Sequence, residues 1–280
     1  MNKSYRLIAL VITIILFATG CGTIAPKSNS MDDATSNKDL DSGNVSGKVS
    51  NNDDGEEQFK FKAEVMEAGK GLLVTPDQES NEYRSSNKIS VGASDAKFTN
   101  QDSNDITMQD LKPGDILEIT YNGIILESYP AQITASAIEV VDHNLIIDGY
   151  LAMIDDIYQE DEGLNSDIEL LALDTTDWIE LSDMEKELIL THLKKVYNLD
   201  ILEGTFDELA EQGIIDKDNL YFENGIHIVI SEITYDSNKK EFHYSIKKWR
   251  SGKGAIGAGD VTAVYKVGQW VIEKEGTWIS

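Results

Sequence analysis

Phe59-Lys60-Phe61-Lys62-Ala63-Glu64-Val65 alternates apolar and polar side chains without a break. Successive side chains of a strand point to opposite faces, so this period predicts a half-buried β-strand. Shorter runs of the same kind follow at Gly71-Leu72-Leu73-Val74, Lys88-Ile89-Ser90-Val91, Asp115–Tyr121 and Ala131-Gln132-Ile133-Thr134-Ala135. Pro113-Gly114-Asp115 and Asn122-Gly123 between them are turn sequences. Several short strands without a long helical period predict a small β-barrel over residues 59–142, of the oligonucleotide/oligosaccharide-binding (OB) type.

The pattern changes beyond the barrel. Ile147, Leu151, Ile154 and Tyr158 recur at helical spacing. Ser182-Asp183-Met184-Glu185 has the form of a capping box ahead of Leu188, Ile189, Leu193 and Val196, which predicts a second helix. Thr205-Phe206-Asp207-Glu208 opens a short third one that stops near Gly213. Strand patterns then run through 226–233, 241–249, 261–267 and 270–274, with Asp236-Ser237-Asn238 and Val267-Gly268-Gln269 as connectors. Helices followed by a meander predict an α+β domain over 143–280, with an antiparallel sheet curved as in cystatin-like or nuclear-transport-factor-like rolls.

Two resemblances attach to these regions. Arg84–Val91, Leu111-Lys112-Pro113-Gly114-Asp115, Tyr121-Asn122-Gly123 and Glu127–Ile133 resemble a YobA-like domain, found in exported proteins of low-GC Gram-positive bacteria. That likeness covers about 59–141 and implies a small barrel with no established chemistry. Asp174-Thr175-Thr176, Leu220–Gly225 and Lys248-Trp249-Arg250-Ser251-Gly252 resemble the extracytoplasmic domains of sensor-type membrane metallopeptidases. The zinc motif of those enzymes, His-Glu-x-x-His, does not occur in this sequence. The resemblance implies a sensing or partner-binding role and no proteolysis.

Upstream, residues 22–58 are rich in Ser, Asn, Asp, Gly and Lys and carry no aromatic residue. Such a segment cannot bury enough apolar surface to offset the entropy of ordering it. A flexible coil of this length has an r.m.s. reach of roughly 35 Å, which makes 21–58 a tether. Before it, Lys3 and Arg6 precede an apolar run from Leu7 to Ala18, and Phe17-Ala18-Thr19-Gly20 leads into Cys21, the single cysteine. This order resembles the signal peptide (1–20) and lipobox of bacterial lipoproteins. It implies that Cys21 receives a diacylglyceryl thioether and becomes the N-terminus, anchoring the protein on the extracytoplasmic face of the cell membrane. The alternatives are a transmembrane helix, for which the run falls short of the about 20 apolar residues a bilayer needs, and an ordinary secretory signal, against which the small residues running into the thiol argue. Two acyl chains hold a protein stably where one does so marginally. With Cys21 consumed, no thiol remains for a disulfide, a nucleophile or a sulfur-ligated metal.

The formal net charge is −26, and loss of Lys3 and Arg6 with the leader makes it two units more negative. Such a field repels phosphate backbones and anionic headgroups, which argues against nucleic acid and direct membrane-surface binding. Proteins with basic faces, cationic peptides or cell-wall components are the partners it allows. Acidity also serves solubility alone.

No catalytic constellation stands out. His143, His192, His227 and His243 have no metal-ligand spacing, although His227 and His243 fall on adjacent predicted strands where a hairpin would bring them together. Gly254, Gly257 and Gly259 lie between strands, where a glycine-rich hairpin or bulge explains them better than a dinucleotide fingerprint. Asp155-Asp156 and Glu160-Asp161-Glu162 lack EF-hand spacing. No cofactor and no metal is therefore expected. The residues with binding chemistry are Arg84 with Ser85 and Ser86, as an anion or carboxylate clamp, Tyr129 and Gln132 beside a Tyr-Pro turn, and Trp249 with Arg250. The sequence thus describes a lipid-anchored, two-domain surface protein that binds or senses without catalysis. The alternative is a small-molecule-processing enzyme with its pocket in the C-terminal roll.

Overall fold

The computed structural model describes residues 57–280 and the strand Lys48–Val49, all within one compact unit. The predicted leader 1–20, Cys21 and the predicted tether up to residue 56, apart from Lys48–Val49, lie outside the described residues. Among the described residues, no helix is long and apolar enough to cross a membrane.

The N-terminal part is a closed five-stranded barrel. Its elements in chain order are β1 (Lys48–Val49), β2 (Gln58–Glu67), β3 (Leu72–Pro76), α1 (Asn81–Ser85), β4 (Ile89–Gly92), β5 (Lys97–Thr99), β6 (Asp115–Tyr121) and β7 (Ala131–His143). β2 pairs with β3, β3 with β4, β4 with β7, β7 with β6, and β6 returns to β2. Only β4 and β7 run parallel within this ring. Numbered along the chain, the five barrel strands follow the order 1-2-3-5-4-1, compatible with the OB-like barrel expected. β1 and β5 are short additions on β2 and β7.

Alternation fills the interior. Phe61, Ala63 and Val65 of β2 meet Leu117 and Ile119 of β6 and Ile133 of β7 in one buried cluster. Tyr121 donates from its hydroxyl to the buried Glu82 carboxylate of α1 (2.8 Å), tying that short helix to the barrel. At Asn122-Gly123 the glycine has φ +81°, and a Cβ there would lie 2.6 Å from the Phe59 ring. Both the turn and the close approach require glycine.

The second layer comprises α2 (Leu145–Gln159), β8 (Leu170–Asp174), α3 (Asp183–Tyr197), β9 (Asp200–Glu203), α4 (Phe206–Glu211), β10 (Gly225–Asp236), β11 (Glu241–Ser251), β12 (Gly254–Lys266), β13 (Gln269–Lys274) and β14 (Trp278–Ile279). The three predicted helices and the four predicted strands are present. The sheet order is β13-β12-β11-β10-β8-β9, with β14 on the start of β12.

The sheet is mixed, which corrects the antiparallel expectation: β8 pairs in parallel with β10, and β9 with β8. A parallel neighbour needs a long crossover, and α3 is the crossover between β8 and β9. Leu170-Leu171-Ala172-Leu173 does not alternate because both its faces are covered. Leu171 and Leu173 join the main core, while Leu170 and Ala172 pack with Leu209 and Phe222 on the other side.

α2 and α3 cover one face of this sheet. Gly149 lets α2 approach so closely that a Cβ there would sit 2.7 Å from the Phe242 ring. Lys248, fully buried, donates its ammonium hydrogens to the carbonyls of Tyr158 and Glu160 and to Asn165 Oδ1. It satisfies the carbonyls left open at the end of α2, which no following turn caps.

Candidate functional site

The strand period points Glu64 of β2 away from the barrel interior, the opposite side from Ala63 and Val65. It is nevertheless only 9 % exposed, because the start of α3 and the N-cap of α2 lie over that face. Asn144 joins the two parts. Its Oδ1 accepts from the Ile146 N–H and caps α2, while its amide nitrogen donates to Glu64 Oε1 (2.9 Å) and Glu185 Oε1 (2.6 Å). Glu185 is itself held by the predicted capping box, in which Ser182 Oγ accepts from the Glu185 N–H and the Glu185 carboxylate accepts from the Ser182 N–H.

Two carboxyls from different elements thus share one neutral amide. Burial pushes the Glu64 carboxyl up to about 7; the Asn144 hydrogen bond opposes this, the Glu185 charge adds to it and His143 opposes it. One residue away, the His143 ring bridges Asp115 of β6 (2.7 Å) and Asp148 of α2 (2.8 Å). Hydrogen bonds to Asp115 and then Asp148 push the imidazole up to about 10 against the cost of its burial. It is therefore an imidazolium at neutral pH, donating from both nitrogens.

The rest of the seam is also polar. Lys88 pairs with Glu187 of α3, Lys195 with Glu67 (2.8 Å), and the Asn87 amide donates to Met184 Sδ (3.3 Å). Beside α3 lies a pocket of about 300 Å³ whose walls include Glu64, Asp77, Gln78, Met184 and Glu185. Ala63, Pro76 and Ile116 make its apolar part. A second hollow of about 250 Å³, lined by Met66, Pro113, His192 and Val196, lies toward the C-terminal end of the same helix. Among the described residues no cluster of His, Cys, Asp and Glu has the geometry of a metal site.

The residues singled out in the sequence lie elsewhere. Arg84 is exposed on α1 and donates to Asn81 Oδ1 (3.1 Å). Ser85 and Ser86 donate to the Asn81 and Lys88 carbonyls, so neither hydroxyl points with Arg84 at a common centre. Tyr129 is exposed ahead of a cis Pro130, and Gln132 donates to Ser128 Oγ. Trp249 packs edge-on against Phe206 (5.1 Å between centroids), and Arg250 donates to the carbonyls of Leu164, Ser166 and Glu223. His227 and His243 do not meet: His227 faces Trp249 in the strand register and bonds the Gly204 carbonyl, whereas His243 faces Thr234 and bonds Glu241. Gly257 and Gly259 lie within β12, where a register shift marks a bulge. Cys21 is outside the described residues.

Residues 65–142 match a family model described as "Protein of unknown function (DUF3221)". That stretch is most of the barrel, which is therefore a domain of unknown function. No curated protein matches the chain.

Glu64, Asn144, His143, Asp115 and Asp148 had no signature in the sequence. Glu185 was legible only as a capping residue. Glu64 reads as an ordinary solvent-facing position of a half-buried strand, and nothing local reveals that a helix more than a hundred residues later covers it.

Proposed function

We propose that the protein is a lipid-anchored extracytoplasmic lipoprotein whose folded unit binds a cationic partner, a peptide or basic protein segment, without catalysing a reaction. The seam pocket carries this reading: Asp77 and Glu185 supply negative charge beside an apolar wall of Pro76 and Met184, a combination that suits the stem and ammonium of a lysine. The net charge of −26 favours the same class of partner by steering. The space between the second sheet and α2/α3 is filled by Tyr150, Ile154, Leu188, Phe242 and their neighbours, which supports binding at the seam over a reaction inside the roll. The likeness of the C-terminal part to ectodomains of sensor-type metallopeptidases adds a sensing role, and the likeness of the barrel to a domain of exported proteins agrees with a place at the cell surface. The lipobox-like sequence at Cys21 adds the anchor.

Titrating the full chain with a lysine-rich peptide at low salt tests the binding. The expected result is a perturbation of the Met184 methyl and the Gln78 amide that weakens in Asp77→Asn and at high salt. Perturbations confined to other surfaces sink the pocket reading. For the anchor, Cys21→Ala should leave the membrane fraction or retain its leader; processing and retention identical to the parent refute lipidation.

A further inference from the structure

The contacts between the barrel and the second layer differ in kind from those inside either part. Each part has its own apolar cluster, and Leu188, Ile189 and Leu193 of α3 belong to the second one. The barrel side of α3 is held by Asn144, by Lys88 with Glu187 and by Lys195 with Glu67, with a hollow toward each end of the helix. A seam with hollows and few apolar contacts has little packing to resist movement.

We infer that this seam is a pH-responsive joint: a proton on the Glu64 carboxyl, which sits beside the Glu185 carboxylate with the Asn144 amide between them, keeps α3 docked on the barrel, and its loss to water loosens the docking. The inference stands apart from what occupies the pocket. Its basis is the geometry of the pair. An amide with two hydrogens serves both carboxyls, so each oxygen it contacts is an acceptor and the amide supplies no positive charge. With both groups ionised, the buried Glu64 charge stands beside the half-buried Glu185 charge around one neutral donor. That arrangement is relieved by separating β2 from α3.

The surrounding charges set the direction. Facing Glu64 are Glu185 from α3, the His143 imidazolium at the end of β7, and Lys62 and Asp77 at the mouth of the pocket. His143 is already matched by Asp115 and Asp148, so its charge is largely spent on them. Lys62 is exposed and on the strand between Ala63 and Phe61, where water screens it. On α3 itself, Glu187 and Lys195 pair with barrel residues, and burial holds His192 below its usual value, which favours its neutral form. None of these groups neutralises a doubly ionised pair.

The sign follows from the Glu64 value. In the docked state it binds a proton up to about 7, whereas an opened, hydrated glutamate releases it near 4.3. Opening therefore becomes easier as pH rises from about 4.5 to 7, by roughly tenfold for each unit. Below about pH 6 His143 holds its proton docked or open, whereas His192, held low by burial, acts in the opposite sense, so the difference between the parent and Glu64→Gln isolates the Glu64 carboxyl.

Two measurements on the full chain test the joint. The side-chain carbon resonance of Glu64 should titrate near pH 7; a midpoint near 4.5 overturns the proposal. Residual dipolar couplings from the barrel and the second layer should fit one alignment at pH 5.5 and two at pH 8. One alignment at both pH values overturns it. Glu64→Gln keeps the shape and removes the ionisation, so it should retain a single alignment throughout, and a variant that still separates at pH 8 overturns the assignment to Glu64. Should Glu64→Gln fail to fold, the wild-type titration and couplings decide alone.

Discussion

The barrel closes its strand edges by pairing β2 with both β3 and β6, whereas the second sheet stays open and ends at β9 and β13. The barrel core is therefore enclosed by its own strands. The open sheet must borrow α2 and α3 for one face and α4, with Phe222, for part of the other. Closure removes exposed edges and makes the interior a property of the sheet alone. An open sheet is only as stable as its cover.

The strongest way to break this comparison is to remove a large side chain from each core. Phe242 touches Tyr150 of α2, Tyr235 of β10 and Trp270 of β13. Phe242→Ala should cost about 3–5 kcal/mol in denaturant unfolding and loosen α2, seen as a shift in Trp270 emission. Leu117→Ala in the barrel should cost about 2–5 kcal/mol and leave that emission unchanged. Equal effects on Trp270 would mean that the two cores unfold as one.

A pH series sharpens the same contrast, because the titrating groups sit at the seam. Glu64 has a folded value raised above its unfolded one, so its contribution is most favourable below about 4.5 and is lost as pH climbs to about 7. The full loss corresponds to about 3 kcal/mol at 1.36 kcal/mol per pKa unit. His143 is also raised, from 6.5 to about 10, so its clamp is fully present below 6.5 and lost towards 10. On the acid side, Glu208 and Asp236 are held low, by hydrogen bonds from Thr205 and from the Lys239 backbone, and help less as pH falls through the carboxylate range. Burial holds His192 and His227 low, so both help more as pH rises through the imidazole range; the Glu64 effect is therefore read as the stability of the parent relative to Glu64→Gln, which should fall from pH 4.5 to 7. A difference between the parent and Glu64→Gln that does not change across this range would contradict the buried, protonated Glu64.

A smaller effect separates the covers from the sheet they cover. Lys248→Met removes the lysine donor from the Glu160 carbonyl and leaves the Tyr158 carbonyl with Asn165 Nδ2 alone, at a cost on the order of 2 kcal/mol. Hydrogen exchange should rise in the last turn of α2 and leave α3 unaffected. Arg84→Ala, on an exposed helix with only a local bond to Asn81, should stay within about 0.5 kcal/mol.

Legibility followed the same division. The barrel strands were readable because each buries one face against its own sheet, which forces alternation from Phe59 to Val65. Helices α2 and α3 were readable through their apolar spacing and the Ser182–Glu185 box. β8 was not, since a strand covered on both faces loses its period, and β9 is too short to show one. The predicted Arg84, Tyr129 and Trp249 positions were chosen for residue type, and type does not report what a side chain faces once the chain folds.

The sequence alone thus determined the barrel's strand pattern, the starts of α3 and α4, the acidic field and the expectation of an anchor at Cys21, because each is a local or summed property of the chain. Only the tertiary structure decided that Glu64, Asn144 and Glu185 meet. Their separations of 80 and 41 residues carry no sequence period. Burial of a polar residue on the outer face of a strand depends wholly on what another part of the chain lays over it.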